Sequence, residues 1–274
     1  MRTLARAVGS ADIGGEPLPS VFRTFDNNKI IFRRAEVSMI AGTPGAGKST
    51  VALAIALRSK VPTLYVSADT NAHTMAMRLL SMITGKTQTE AEQMLIERVD
   101  ESRKVINDSS GHIFWSFESA PTLADVDQEV LAFEELWGCA PTLIVVDNLM
   151  DISNDGGEEF AGMRSTIKEL KYLARDTNSA ILVLHHTKES YSGNPCQPRS
   201  ALQGMVAQLP ALICTVGSDA PGYIAIAPVK NRYGKADPSG VRLTGCSLTL
   251  KSWTYQISQI GPNVQTNLRT QTEL

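Results

Sequence analysis

The octapeptide Gly42-Thr43-Pro44-Gly45-Ala46-Gly47-Lys48-Ser49 constrains the fold more than any other part of this chain. It satisfies the pattern G-x-x-x-x-G-K-[ST] at every fixed position. The apolar run Val37-Ser38-Met39-Ile40-Ala41 precedes it, and an Ala/Leu-rich stretch without helix breakers follows over residues 49–60. The first reads as a buried strand and the second as a helix. Glycines let the backbone curl until several N–H groups point at one anion, and the helix presents its positive end to the same place. Chance produces on the order of 0.01 such matches in a chain of this length, given glycine near 7% of residues. Residues Gly42, Thr43, Pro44, Gly45, Ala46, Gly47, Lys48, Ser49 and Thr50 are therefore expected to cradle the phosphates of a nucleotide. Lys48 would reach the β- and γ-phosphates, and Ser49 would ligate Mg²⁺.

A second element fits the first. Leu143-Ile144-Val145-Val146-Asp147 is an apolar strand ending in a carboxylate, which can hold the magnesium shell opposite Ser49. Enough chain separates the two to fit further strands, which argues against a compact kinase-type arrangement. Elsewhere, strands are expected over 63–67, 112–117 and 180–184, and helices over 71–84, 89–105, 122–137 and 158–176. Strands apolar throughout and alternating with helices imply a mainly parallel sheet covered on both faces. After Ala211 the pattern changes to closely spaced strands over 212–216, 223–229, 241–250 and 253–257, read as antiparallel hairpins at the C-terminal edge. The expected organisation is an N-terminal arm over 1–34 that frays or links subunits, an α/β core over 35–260 and a flexible tail over 261–274.

Composition narrows the function classes. Of 274 residues, 26 are Lys or Arg and 28 are Asp or Glu, for a formal charge of −2, which excludes a histone-like basic surface but leaves room for a local basic channel. Cys139, Cys196, Cys214 and Cys246 show no metal-finger spacing. The start has arginines without an apolar run behind them, so no signal peptide is expected, nor is a membrane span. A reducing cytoplasm is the expected setting.

The order GTPGAGKST, TLYVSADT, LIVVDNL, ILVLHHT, PVKNRYG resembles the RecA-like ATPases. Within them it looks most like the core of DnaB-type hexameric replicative helicases and related phage or plasmid replication ATPases. The resemblance spans residues 35–257 and implies a RecA-like P-loop fold hydrolysing ATP with Mg²⁺. Asp69, after the second strand, stands where that family usually has Glu as the base orienting water; an aspartate is shorter but chemically capable. Asp69 or Thr70 also fits a helix N-cap. His186, after the strand 181–184, fits the family's γ-phosphate sensor; a structural polar role and a metal site with His185 are the other readings. Adjacent strand residues point to opposite sides, which disfavours shared chelation. Lys230 and Arg232, two apart, would project together like the family's fingers that reach a neighbour's γ-phosphate. That implies a homo-oligomer, a hexameric ring with sites between subunits. Residues 188–208 correspond to the family's channel loop, with Lys188 and Arg199 as contacts to single-stranded or forked DNA.

Asp147, Asp151 and Asp155, followed by Glu158 and Glu159, form an acidic series. It reads as a solvated loop and helix start, or as a second metal site for phosphodiester hydrolysis. Three functions follow: a helicase-type DNA motor, a nuclease for forked or flap DNA on the same fold, and a regulatory ring ATPase.

Overall fold

The computed structural model describes residues 15–153, 159–188, 194–218, 224–241 and 244–246. Its strands are β1 Val37–Gly42, β2 Thr63–Ser67, β3 Ile113–Ser116, β4 Leu143–Asp147, β5 Ala180–His186, β6 Leu212–Gly217, β7 Ile224–Asn231 and β8 Thr244–Cys246. Its helices are α1 Arg23–Asn28, α2 Lys48–Ser59, α3 Ala72–Thr84, α4 Gln88–Glu97, α5 Val99–Ser110, α6 Leu123–Trp137 and α7 Glu159–Asp176. One sheet runs in the order β3-β2-β4-β5-β1-β6-β7-β8. The six strands from β3 to β6 in that order are mutually parallel, and β7 and β8 close the edge antiparallel. This is the expected α/β architecture with an antiparallel edge.

Every residue of β1, β2 and β4 is buried, because helices cover both faces. On one face Val51, Leu53 and Ile55 of α2 pack with Tyr65, Leu182 and Leu184. On the other, Val126, Val130 and Phe133 of α6 and Ile167 and Leu170 of α7 pack with Leu64, Ile144 and Ile181. The strands cannot slip by one residue without exchanging these two side-chain sets.

Two stretches differ from expectation. Residues 15–34, the described part of the expected arm, are docked: Phe22, Phe25, Ile30 and Phe32 lie in the first cluster. Each such burial is worth about 1.5–3 kcal/mol, which a frayed arm would forgo. The single helix expected over 89–105 is two helices, broken at Arg98 (φ −128°, ψ 56°). The break lets Ala91 and Met94 pack on Leu80 and puts Asp100 and Glu101 at a new positive helix end. Ser102 closes the corner by donating to the Met94 carbonyl. Of the strand expected over 241–250, Thr244–Cys246 is described as β8. The strand expected over 253–257 and the tail lie outside the described residues.

Sheet register then positions the site. Gly42 is level with His186, and Ser67 with Asp147. The C-terminal ends of β1, β2, β4 and β5 thus share one rim, where open parallel sheets bind ligands.

Candidate nucleotide-binding site

The loop after β1 turns on two glycines with positive φ, Gly45 (75°) and Gly47 (90°). Gly47 is the N-cap of α2, and its φ of 90° is a backbone conformation that side-chain-bearing residues rarely adopt, so the turn demands glycine. Lys48 is buried, and its Nζ donates to the carbonyls of Gly42 at 3.1 Å and Thr43 at 3.0 Å. Burial pulls its pKa down, against the pull of Asp147 and then Asp69. The ammonium thus rests on the loop's own carbonyls, in the place from which it can turn to a phosphate.

Asp147 ends β4 and is buried. Tyr65 donates to its Oδ2 at 3.1 Å, and Ser49 also bonds to the carboxylate. Burial pushes the Asp147 carboxyl up, while Ser49, Tyr65 and Arg78 oppose the shift. A serine hydroxyl at the head of α2 bonded to a buried carboxylate is a donor set suited to magnesium. Asp69 follows β2 beside it, because the Ala68 amide donates to the Asp147 carbonyl at 2.8 Å. Asp69 is exposed, so its carboxylate faces the solvent side of the rim. The cap of α3 is neither Asp69 nor Thr70 but Asn71, whose side chain accepts from the Thr74 amide.

His185 and His186 do point apart. His185 is buried, with Nε2 at 3.0 Å from the Gln203 carbonyl. His186 turns to the loop, with Nδ1 3.4 Å from Lys48 Nζ and Nε2 3.4 Å from Asn148 Nδ2. Burial, then Lys48, lowers the His186 pKa. The two rings address different partners, which overturns a metal site made from both.

His112, His185 and His186 are all shifted down, burial first in each. Such groups stabilise the fold fully above their unfolded value, here 6.5, and that stability is lost as pH falls through their lower folded values. The thermal midpoint is therefore expected to fall on acidification below about pH 6.5. His185→Gln should flatten that slope; an unchanged slope in the variant would contradict the assignment.

Lys230 and Arg232 lie at the other end of the sheet. Ser38 is level with Leu212, and Leu212 with Asn231, so these cations sit near the start of β1. The six residues of β1 separate them from their own phosphate loop, roughly 20 Å at 3.3 Å per residue. The two side chains hold different partners, although Arg232 lies close enough to act on the Lys230 charge. Lys230 Nζ donates to the carbonyls of Ala207 at 3.0 Å and Gln208 at 2.7 Å. Burial lowers the Lys230 pKa, helped by Arg232, Arg199 and Lys171. Arg232 pairs with Glu36 at 3.1 Å and stays exposed. Tyr233 donates to the same carboxylate, and Arg33 covers its ring at 4.6 Å.

Lys188 and Arg199 are both exposed, and an antiparallel bridge between Thr187 and Leu202 pairs the two stretches that carry them. The Lys188 amide donates to the Ala201 carbonyl at 2.8 Å. Asp151 closes a 3₁₀ turn over Leu149–Asp151, and burial, then Asp69, raises its pKa. Asp155 and Glu158 lie outside the described residues, as does the side chain of Glu159. Among the described residues no three His, Cys, Asp or Glu side chains are grouped to hold a metal. Sequence reasoning missed Tyr65 and Asn148. The signals were a lone aromatic between Leu64 and Val66 at the centre of β2 and a polar residue directly after Asp147.

Residues 26–190 match the AAA domain family. The chain belongs to this family. The AAA-domain chain is 32% identical over 255 residues to the Gene 65 protein of Mycobacterium phage L5, covering 90% of this chain and 94% of that one. It is 30% identical to the DNA repair protein RAD51 homolog 4 of Mus musculus, over 60% of this chain and 49% of that protein. Its fold superposes on a DnaB-like replicative helicase with TM-score 0.69 at 15% identity, over 85% of this chain and 62% of that one. This AAA-domain protein thus has a RecA-like P-loop ATPase fold. Among the described residues no helix is long and apolar enough to cross a membrane.

Proposed function

We propose that this ATPase is a phage-encoded, Mg²⁺-dependent motor that couples ATP hydrolysis to translocation on single-stranded DNA in replication or recombination. It works as a homo-oligomeric ring, in the hexameric form, with active sites between subunits. The observation that carries this reading is the separation of Arg232 from its own phosphate loop by the length of β1. A finger placed there serves only a neighbour's site, and head-to-tail packing that closes makes a ring. The Gene 65 relative comes from a phage, and the RAD51 homolog is named for DNA repair, which agrees with this setting.

In the working site, the loop amides of residues 42–50 and Lys48 hold the triphosphate. Ser49 and Asp147 would hold magnesium, which when bound would supply charge neutralisation at the phosphates. Tyr65 keeps the Asp147 carboxylate turned toward Ser49. Asp69 orients the attacking water and takes its proton. His186 contacts the transferred phosphate, and a neighbour's Arg232 stabilises the charge that develops in transfer. Lys188 and Arg199, repeated around the ring, give the channel its contacts to the DNA backbone.

ATP hydrolysis is expected to rise on adding single-stranded DNA and to respond less to duplex of the same length. A rate indifferent to DNA would instead favour a regulatory ring. No observation favours a nuclease, whose second metal would have to be held by the acids after Asp147.

A further inference from the structure

His186 stands between two hydrogen-bond donors. A neutral imidazole carries one N–H and one lone pair. Lys48 offers only donors, and its Nζ lies 3.4 Å from Nδ1. On the other side, Asn148 Nδ2 lies 3.4 Å from Nε2. The orientation of the Asn148 amide is not free, because its Oδ1 accepts the Met150 amide at 2.8 Å. Its NH₂ must therefore face the ring. One ring nitrogen can satisfy a donor; the other, bearing the proton, meets a second donor head-on. Burial and the nearby ammonium oppose a doubly protonated ring, so the conflict is not relieved by ionisation.

We infer that Asn148 is a positioning residue that sets the tautomer of His186, and that the tautomer reports whether Lys48 is engaged by a phosphate. Without nucleotide the ammonium is the stronger donor, so Nδ1 accepts from Lys48 and Nε2 carries the proton against the Asn148 amide. When a γ-phosphate draws Lys48 away, Nδ1 loses its donor. Nε2 then gives its proton to water, and Nδ1 takes one from water, with no net change. The ring now accepts from Asn148 Nδ2 and presents Nδ1–H toward the phosphate. The same Asn148 side chain holds the Met150 amide, at the turn that follows Asp147. The state of the phosphate is thereby tied to the backbone leaving β4. This inference rests on the ATPase reading and on His186 facing the γ-phosphate, and adds to them the residue that makes the contact conditional.

The test is imidazole ¹⁵N NMR on the full chain with Mg²⁺, without nucleotide and with a non-hydrolysable ATP analogue, for the wild type and Asn148→Asp. The aspartate keeps an oxygen for the Met150 amide but replaces the facing NH₂ by an acceptor, which pins the proton on Nε2. The wild type is expected to hold the proton on Nε2 without nucleotide and on Nδ1 with the analogue. Asn148→Asp should keep it off the Nδ1–H neutral form in both, lower turnover about tenfold and leave nucleotide affinity within about threefold. One tautomer in the wild type with and without the analogue, or a variant that switches as the wild type does, overturns the inference. Unmoved backbone amides over residues 42–50 on adding nucleotide would instead bring down the ATPase reading, and the inference with it. Moved amides with a fixed tautomer bring down the inference alone.

Discussion

Lys48→Ala is expected to abolish ATP hydrolysis, lowering the rate by at least about 10²–10³-fold. Lys48 is the ammonium closest to the rim where Asp147, Asp69 and His186 converge, and its present partners are the loop's own carbonyls. Those carbonyls lose little if the cation goes, because burial already works against its charge. The variant should therefore keep a thermal midpoint close to that of the wild type while losing turnover. A steady-state assay beside a melting curve separates the two effects. Hydrolysis at the wild-type rate would remove the loop from the active site, whereas a collapse of the melting transition would make Lys48 structural.

Arg232→Ala is expected to bind nucleotide normally and lose about 10³-fold in turnover, the range assigned to arginine fingers. Its contact with Glu36 is exposed, so stability should change by less than about 1 kcal/mol. The decisive form is a mixture with Asp69→Ala. Each variant is dead alone, yet an Arg232→Ala subunit still offers its own Asp69, and an Asp69→Ala subunit still offers its Arg232. Random assembly of equal amounts leaves about one interface in four intact, so about a quarter of the wild-type rate should return. Two proteins that stay dead on mixing would place both residues in one subunit's site and contradict the trans arrangement. Lys230 should matter differently, since its ammonium caps the carbonyls of Ala207 and Gln208. Its substitution acts first on the turn over Gln203–Gln208, which precedes β6.

The phosphate loop could be read from the sequence because its chemistry is contiguous: eight neighbouring residues carry the glycines, the cation and the hydroxyl. Asp147 was legible for a related reason, as the one charge ending an apolar strand. The alternation of strands and helices gave the parallel core, and the loss of that alternation after Ala211 gave the antiparallel edge. Tyr65 and Asn148 could not be read in this way. Tyr65 meets Asp147 only because β2 lies beside β4 in a fixed register, and Asn148 meets His186 only because β4 lies beside β5. Local spacing carries no trace of either pairing. The docking of residues 15–34 was hidden for another reason. Phe22, Phe25, Ile30 and Phe32 are set among polar and turn residues with no regular period, so their shared burial emerges only in three dimensions. The break at Arg98 lies in a stretch with neither glycine nor proline; packing of Ala91 and Met94 on Leu80 forces it, against local helix propensity.

In the proposed function, ATP turnover moves this chain along single-stranded DNA. A forked duplex with labelled strands, incubated with and without ATP and resolved on native and denaturing gels, tests it most directly. Intact separated strands are expected to appear only with ATP and to vanish with Lys48→Ala. A fork left paired while ATP is consumed would contradict the proposed function, and so would shortened strands.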